Sequence, residues 1–167
     1  VPDFRTNTRY ALQRTRQITE ALIEVLDGDD WSHRVAPDTN SPLWIIGHLA
    51  WVDNRMAGRF RPERALDAEK VWGELFQFGT KPLDAGEYPP IDEVLAVWRE
   101  RRENLLAVFD EVSDEELDAP GPPADAASPI PGAPCAGYFF LFTSQHELLH
   151  TGQLTVVRRV LGHAPLR

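Results

Sequence analysis

Four stretches of the chain repeat apolar residues at the three-to-four-residue interval of an amphipathic helix, with polar or Pro/Gly-rich connections between them. The first runs from about Asp3 to Leu26, with Leu12, Ile18, Leu22, Val25 and Leu26 on one face, and Asp27-Gly28-Asp29-Asp30 ends it. The second opens on Ser41, a good N-cap, and Pro42, whose missing N–H costs nothing at a first helical position. Trp44, Ile45, His48, Leu49, Val52 and Met56 then keep helical spacing to about Gly58. Gly47 sits inside this helix at a cost, which predicts close approach of a neighbouring helix. The third spans about Ile91 to Val112, entered through Pro89-Pro90 and an acidic first turn, with Arg101 or Arg102 interrupting its core stripe. A short helix at Ser113–Leu117 is predicted by a capping-box pair, Ser113 and Glu116. The fourth spans about Ala136 to Leu161 and stops at Gly162. Period-two alternation is nearly absent, so the chain is expected to be all-α.

The connections constrain how these helices pack. Residues Arg61–Pro90 form one long link, and Asp118–Cys135, with six prolines, forms another. A helix of the second segment's length is about 25 Å long, and a link of that size can run back along it. The second and third helices can therefore lie parallel, which short links would forbid. Trp72, Leu75, Phe76 and Phe78 make the first link too apolar for a solvated tether, so it is expected to fold over the bundle.

Composition narrows the function. A chain of 167 residues, 43% hydrophobic and 26% charged, suits one globular domain covering residues 1–167. With 17 Lys+Arg against 26 Asp+Glu, its formal charge of −9 repels phosphate backbones, which argues against a nucleic-acid partner. A lone cysteine, Cys135, makes no internal disulfide, and the N-terminal residues show no signal-peptide pattern. The longest apolar run, Tyr138–Phe142, is far short of the ~20 residues that span a bilayer. A cytoplasmic protein with no membrane partner is the expectation.

The chemistry lies in the histidines. His146 and His150 stand one turn apart on the fourth helix, about 40° apart around its axis and about 6 Å along it. Two imidazoles so placed can share a transition metal. His48, mid-helix between core residues, is the best third ligand; its other reading is a hydrogen-bonded core histidine. His33 and His163 read as surface residues. The string HELLH also matches the zincin motif, with Glu147 as general base, but no third zincin ligand follows it and no strands line a cleft.

SPLWIIGHLAW in the second helix and HELLHTGQLTVVRRVLG in the fourth, with YPPIDEVLAVW opening the third, resemble the DinB-like superfamily. That superfamily includes thiol-dependent S-transferases and mycothiol-dependent maleylpyruvate isomerases. The resemblance covers nearly the whole chain. It implies a four-helix bundle of up-down-down-up order, a metal held by His48, His146 and His150, and often a homodimer. It also implies a low-molecular-weight thiol such as mycothiol or bacillithiol as co-reactant.

Three neutral imidazoles leave a coordination position open and suit Zn, Ni or Fe without choosing among them. A divalent metal there can activate a small thiol or a water, so a metal-dependent transferase or isomerase acting on a small-molecule substrate is the leading expectation. A non-catalytic metal- or ligand-binding stress-response protein and a zincin-like hydrolase are the rivals. Gln153, on the ligand face, either orients a ligand or pairs with a neighbouring helix, and Glu147, rotated about 100° from His146, lies beneath the ligands or is exposed. Arg55, Arg101 or Arg102, and Arg158 fall near the site; each either binds a carboxylate or pairs structurally. Trp44 and Trp51 flank His48 as core packing or as pocket walls. Cys135, just before the fourth helix, is read as a bystander.

Overall fold

The computed structural model describes residues 2–126 and 128–166. Among them the regular structure is all helical, with four long helices: α1 (Phe4–Ile23), α2 (Pro42–Phe60), α4 (Ile91–Glu111) and α6 (Tyr138–Val160). Two short ones, α3 (Gly73–Phe76) and α5 (Asp114–Asp118), lie in the connections. The only β-like pairing among the described residues is an isolated bridge between Pro120 and Cys135.

The caps act as the sequence predicts. Asp3 accepts from the Thr6 amide, Ser41 accepts from the Trp44 amide with Pro42 at the first turn, and Ser113 and Glu116 close a capping box. Such caps contribute about 1 kcal/mol each by satisfying amides that have no partner within the helix. Three boundaries differ from the sequence expectation by two residues or more. α1 stops at Ile23 rather than Leu26. α2 continues past Gly58 to Phe60 and ends at Arg61, the residue whose helical backbone Pro62 disfavours, while Gly58 leaves room for the Ala65 side chain. α6 starts at Tyr138 rather than Ala136, since the Ala136 and Gly137 amides donate to the carbonyls of Ala119 and Leu117 (both 2.8 Å).

α2 packs chiefly on α4 and α1 chiefly on α6, with α2 and α6 also in contact. Two apolar clusters fill the interior. One gathers Ile45, Leu49, Val94, Trp98 and Leu154; the other gathers Val52, Met56, Leu105, Phe109 and Phe140. Each large side chain so buried contributes about 1.5–3 kcal/mol. The buried face of α1 keeps Leu12 and Leu22 of the apolar stripe read from its sequence and adds polar residues to it. Thr8, Leu12, Thr15, Arg16, Thr19 and Leu22 are buried, whereas Val25 is partly exposed.

The first long link does fold back. Phe76 is fully buried, and the space it fills is the one Gly47 leaves open: a Cβ at Gly47 would lie 2.5 Å from the Phe76 ring. The close neighbour of Gly47 is thus this ring, carried by the short helix α3 within the link. Phe78, two residues on, is 87% exposed and does not join the core.

Candidate metal centre

His48 projects from the middle of α2, and His146 and His150 from successive turns of α6. The helix contact brings the three rings together, with centroids 4.7–5.1 Å apart and one nitrogen from each within 4.8 Å of the others. His48 is 2% exposed and His150 9%, while His146 is half-buried. His33 and His163 lie apart from them and are half-buried, less exposed than surface residues; His163 faces Asp30.

Hydrogen bonds orient two of the rings. His48 Nδ1–H donates to the Phe76 carbonyl (2.6 Å), and because a carbonyl only accepts, the lone pair is left on Nε2. His150 Nδ1–H donates to the Gln153 amide oxygen (2.9 Å), with the same result. Of the two sequence readings of Gln153, the structure thus has it orienting a histidine. His48 Nε2 and His146 Nε2 are 3.3 Å apart, and His146 Nδ1 is buried with no partner. Trp44 and Trp51 stack on the two faces of His48, with centroids at 4.6 and 5.7 Å.

Burial holds these imidazoles neutral. It lowers His48 to about 4, against the Phe76 carbonyl and with help from His150. It lowers His146 to about 3, reinforced by the other two rings, and lowers His150 against the pull of Gln153. Neutral imidazoles with converging lone pairs and a buried nitrogen lacking a partner are a donor set that fits a divalent transition metal. Removing the Gln153 carbonyl frees the His150 ring to rotate, so Gln153→Leu is expected to weaken Zn²⁺ binding by about 10–100-fold in a competition titration.

Glu147 lies within the protein. It is fully buried, not exposed, and its oxygens are committed to Thr19 (2.8 Å), Arg102 (2.6 Å) and Arg16 (3.1 Å). Burial alone would raise its carboxyl, but Arg16 and Arg102 outweigh burial and hold it below the ordinary value. Its oxygens thus meet Thr19, Arg16 and Arg102 rather than any of the three histidines. Asp53 completes the cluster, bridged by Arg16 (2.8 Å) and by both arms of Arg102 (2.9 Å each). Burial and the nearby Arg102 lower Arg16 to about 10, so it stays charged, while Arg102 is raised because Asp53 and Glu147 together overcome its burial.

A cavity of about 820 Å³ reaches His48 and His146. Its inner wall is α2 with Trp51, Arg55, Met56 and Arg59; its outer wall is the proline-rich link, with Pro120, Pro122, Pro123 and Pro129. Trp44, by contrast, sits in the core with its indole N–H on Leu75 and Thr80, and does not line the cavity. Arg101 is buried against Asn54 and the Arg64 carbonyl, and Arg158 donates to the carbonyls of Ala21, Leu22 and Ala164. Both serve structure. Cys135 is half-buried and belongs to the bridge with Pro120. Arg59, Asp53 and Arg16 were not singled out from sequence; Arg59 had a readable signal, lying one turn beyond Arg55 on the same face.

An all-helical fold with a buried cluster of three histidines at the end of an open cavity defines the class. The chain belongs to the DinB superfamily, whose family model matches residues 11–154. Its fold is similar to that of a DinB-like protein from Bacillus subtilis (17% identity, 96% of each chain covered, TM-score 0.62). It is also similar to a conserved protein from Enterococcus faecalis (13% identity, 95% of this chain and 97% of that one, TM-score 0.65). No curated protein matches the chain.

Proposed function

We propose that the protein is a divalent-metal-dependent enzyme in which His48, His146 and His150 hold the ion and a small thiol or water is activated for transfer to, or isomerisation of, a small-molecule substrate. The observation that carries this reading is the junction of the three imidazoles with the cavity: His48 and His146 both contribute to its wall. A purely metal-storing or structural site would not need that opening. Bound there, a divalent ion would supply a Lewis acid able to lower the pKa of a thiol or water. The chain's own residues do the rest. Phe76 and Gln153 fix ring orientation, Trp44 and Trp51 clamp His48, and the cavity walls shield the reacting groups from bulk water.

The resemblance behind the thiol reading also carries a single-domain, up-down-down-up bundle. Side-chain groupings support that order: Ile45 and Val94 share one apolar cluster and Met56 and Phe109 the other, as parallel α2 and α4 would place them, and Phe4 meets Tyr138 while Arg158 reaches Leu22, as parallel α1 and α6 would.

Elemental analysis of the purified protein, followed by thiol-transfer assays before and after chelation, tests the function. Stoichiometric metal is expected, with a fall in rate of at least about 100-fold on stripping and recovery on adding Zn²⁺, Ni²⁺ or Fe²⁺. Full activity in the stripped protein would defeat the proposal.

A further inference from the structure

The same cavity has an electrostatic character at odds with the rest of the molecule. The chain carries 26 acidic residues, yet no Asp or Glu is among the described residues that line this cavity. Two arginines do line it, Arg55 and Arg59, one turn apart on the α2 face that also carries His48. Elsewhere Arg61, Arg64, Arg101 and Arg102 engage carboxylates. Arg55 and Arg59 have no such partner among the described residues. Their guanidinium groups lie over aromatic faces, Arg55 at 4.8 Å from the Trp51 ring centre and Arg59 at 3.7 Å from that of Phe139. An aromatic face supports a guanidinium plane while using none of its five N–H donors. The donors are therefore held in place and left available.

The rest of the lining accepts an apolar body. Met56, Phe139 and Phe142 face the interior side, and the proline wall has no backbone N–H at Pro120, Pro122, Pro123 or Pro129. The rise of α2 places Arg55 about 10 Å and Arg59 about 16 Å along the axis from His48. We propose that the cavity binds an elongated amphipathic carboxylate, with its anionic end on Arg55 and Arg59, its apolar body along Met56, Phe139 and Phe142, and its far end at His48 and His146. Which end reacts rests on the metal-site reading above; the binding of the carboxylate end does not. The chemistry is shared by two sources, a carboxylate-bearing substrate and a carboxylate-bearing thiol co-reactant.

The test uses 8-phenyloctanoate and its primary amide, matched in shape and differing in charge, titrated calorimetrically into the whole protein with and without its metal. The acid is expected to bind about 10–100-fold tighter than the amide, the margin of a charge-assisted fork on a carboxylate. Arg55→Met and Arg59→Met, alone and combined, should erase that preference and leave amide binding unchanged. Arg55→Lys should restore part of it. Circular dichroism checks the fold of each variant, and the acid-to-amide ratio in the unaltered protein decides the matter if a variant does not fold. Equal affinity for acid and amide, binding of neither, or a preference that survives the double substitution would overturn the proposal. The metal-stripped protein should keep the preference, so loss of metal-dependent activity and loss of carboxylate recognition are separate failures. A thiol bearing a carboxylate that competes with 8-phenyloctanoate but is not consumed identifies the substrate as the carboxylate's source; its consumption identifies the co-reactant.

Discussion

Arg102→Met is expected to destabilise the protein by about 3–5 kcal/mol, the cost of leaving buried charges uncompensated. Arg102 is 4% exposed at its side chain and holds three groups together: both oxygens of Asp53 at 2.9 Å, Glu147 at 2.6 Å and the Leu12 carbonyl at 2.9 Å. Arg16 remains as a second cation, but its Nε faces Glu147 without hydrogen-bond alignment, so it cannot take over the lost fork. Methionine matches the aliphatic stem and removes only the charge and donors. In a protein of this size each kcal/mol shifts the midpoint by about 2–4 °C, so thermal unfolding should move down by about 6–20 °C. Loss of under 1 kcal/mol would show that water reaches these carboxylates. Arg102→Lys, which keeps a charge but not the planar fork, should fall between.

His48→Ala is expected to have the larger effect on chemistry. It removes one of three convergent nitrogens, so Zn²⁺ affinity should drop by well over the roughly 100-fold upper range for loss of a supporting hydrogen bond. Inductively coupled plasma analysis of the purified variant should find little bound metal, while circular dichroism still reports a helical fold. Retained stoichiometric metal would move the site elsewhere. The pH dependence has a definite sign. Burial depresses His48 to about 4 and His146 to about 3, so protons compete with a metal only when the pH falls well below the ordinary histidine value near 6.5. In the metal-free protein the same depression makes the folded state bind fewer protons than the unfolded one. Its contribution to stability is whole above pH 6.5 and is lost as the pH falls from there through about 4 for His48 and about 3 for His146.

The long helices and their caps were legible because each depends on neighbours in sequence: Ser41 with Trp44, Ser113 with Glu116, and the apolar periods of α2 and α4. The histidine trio was legible because two members share a helix face and the third stands alone among core residues. What sequence concealed lies in pairings across long separations. Glu147 is buried because Arg16 and Arg102, which stand on two other helices far back in the sequence, neutralise it. The interior face of α1 carries threonines and an arginine that no apolar period reveals. Phe76 supplies a backbone carbonyl to His48, and a carbonyl carries no side-chain signature. The start of α6 is set by amides tied to Leu117 and Ala119, at and just beyond the end of α5.

The proline-rich link forms one flank of the cavity and carries none of the three histidines. Substitutions there can reshape what enters without disturbing the ring of imidazoles, whose supports come from α2, α6 and the stretch around Phe76. The outer wall of the cavity and the histidine cluster are thereby carried on different pieces of chain, free to diverge at different rates.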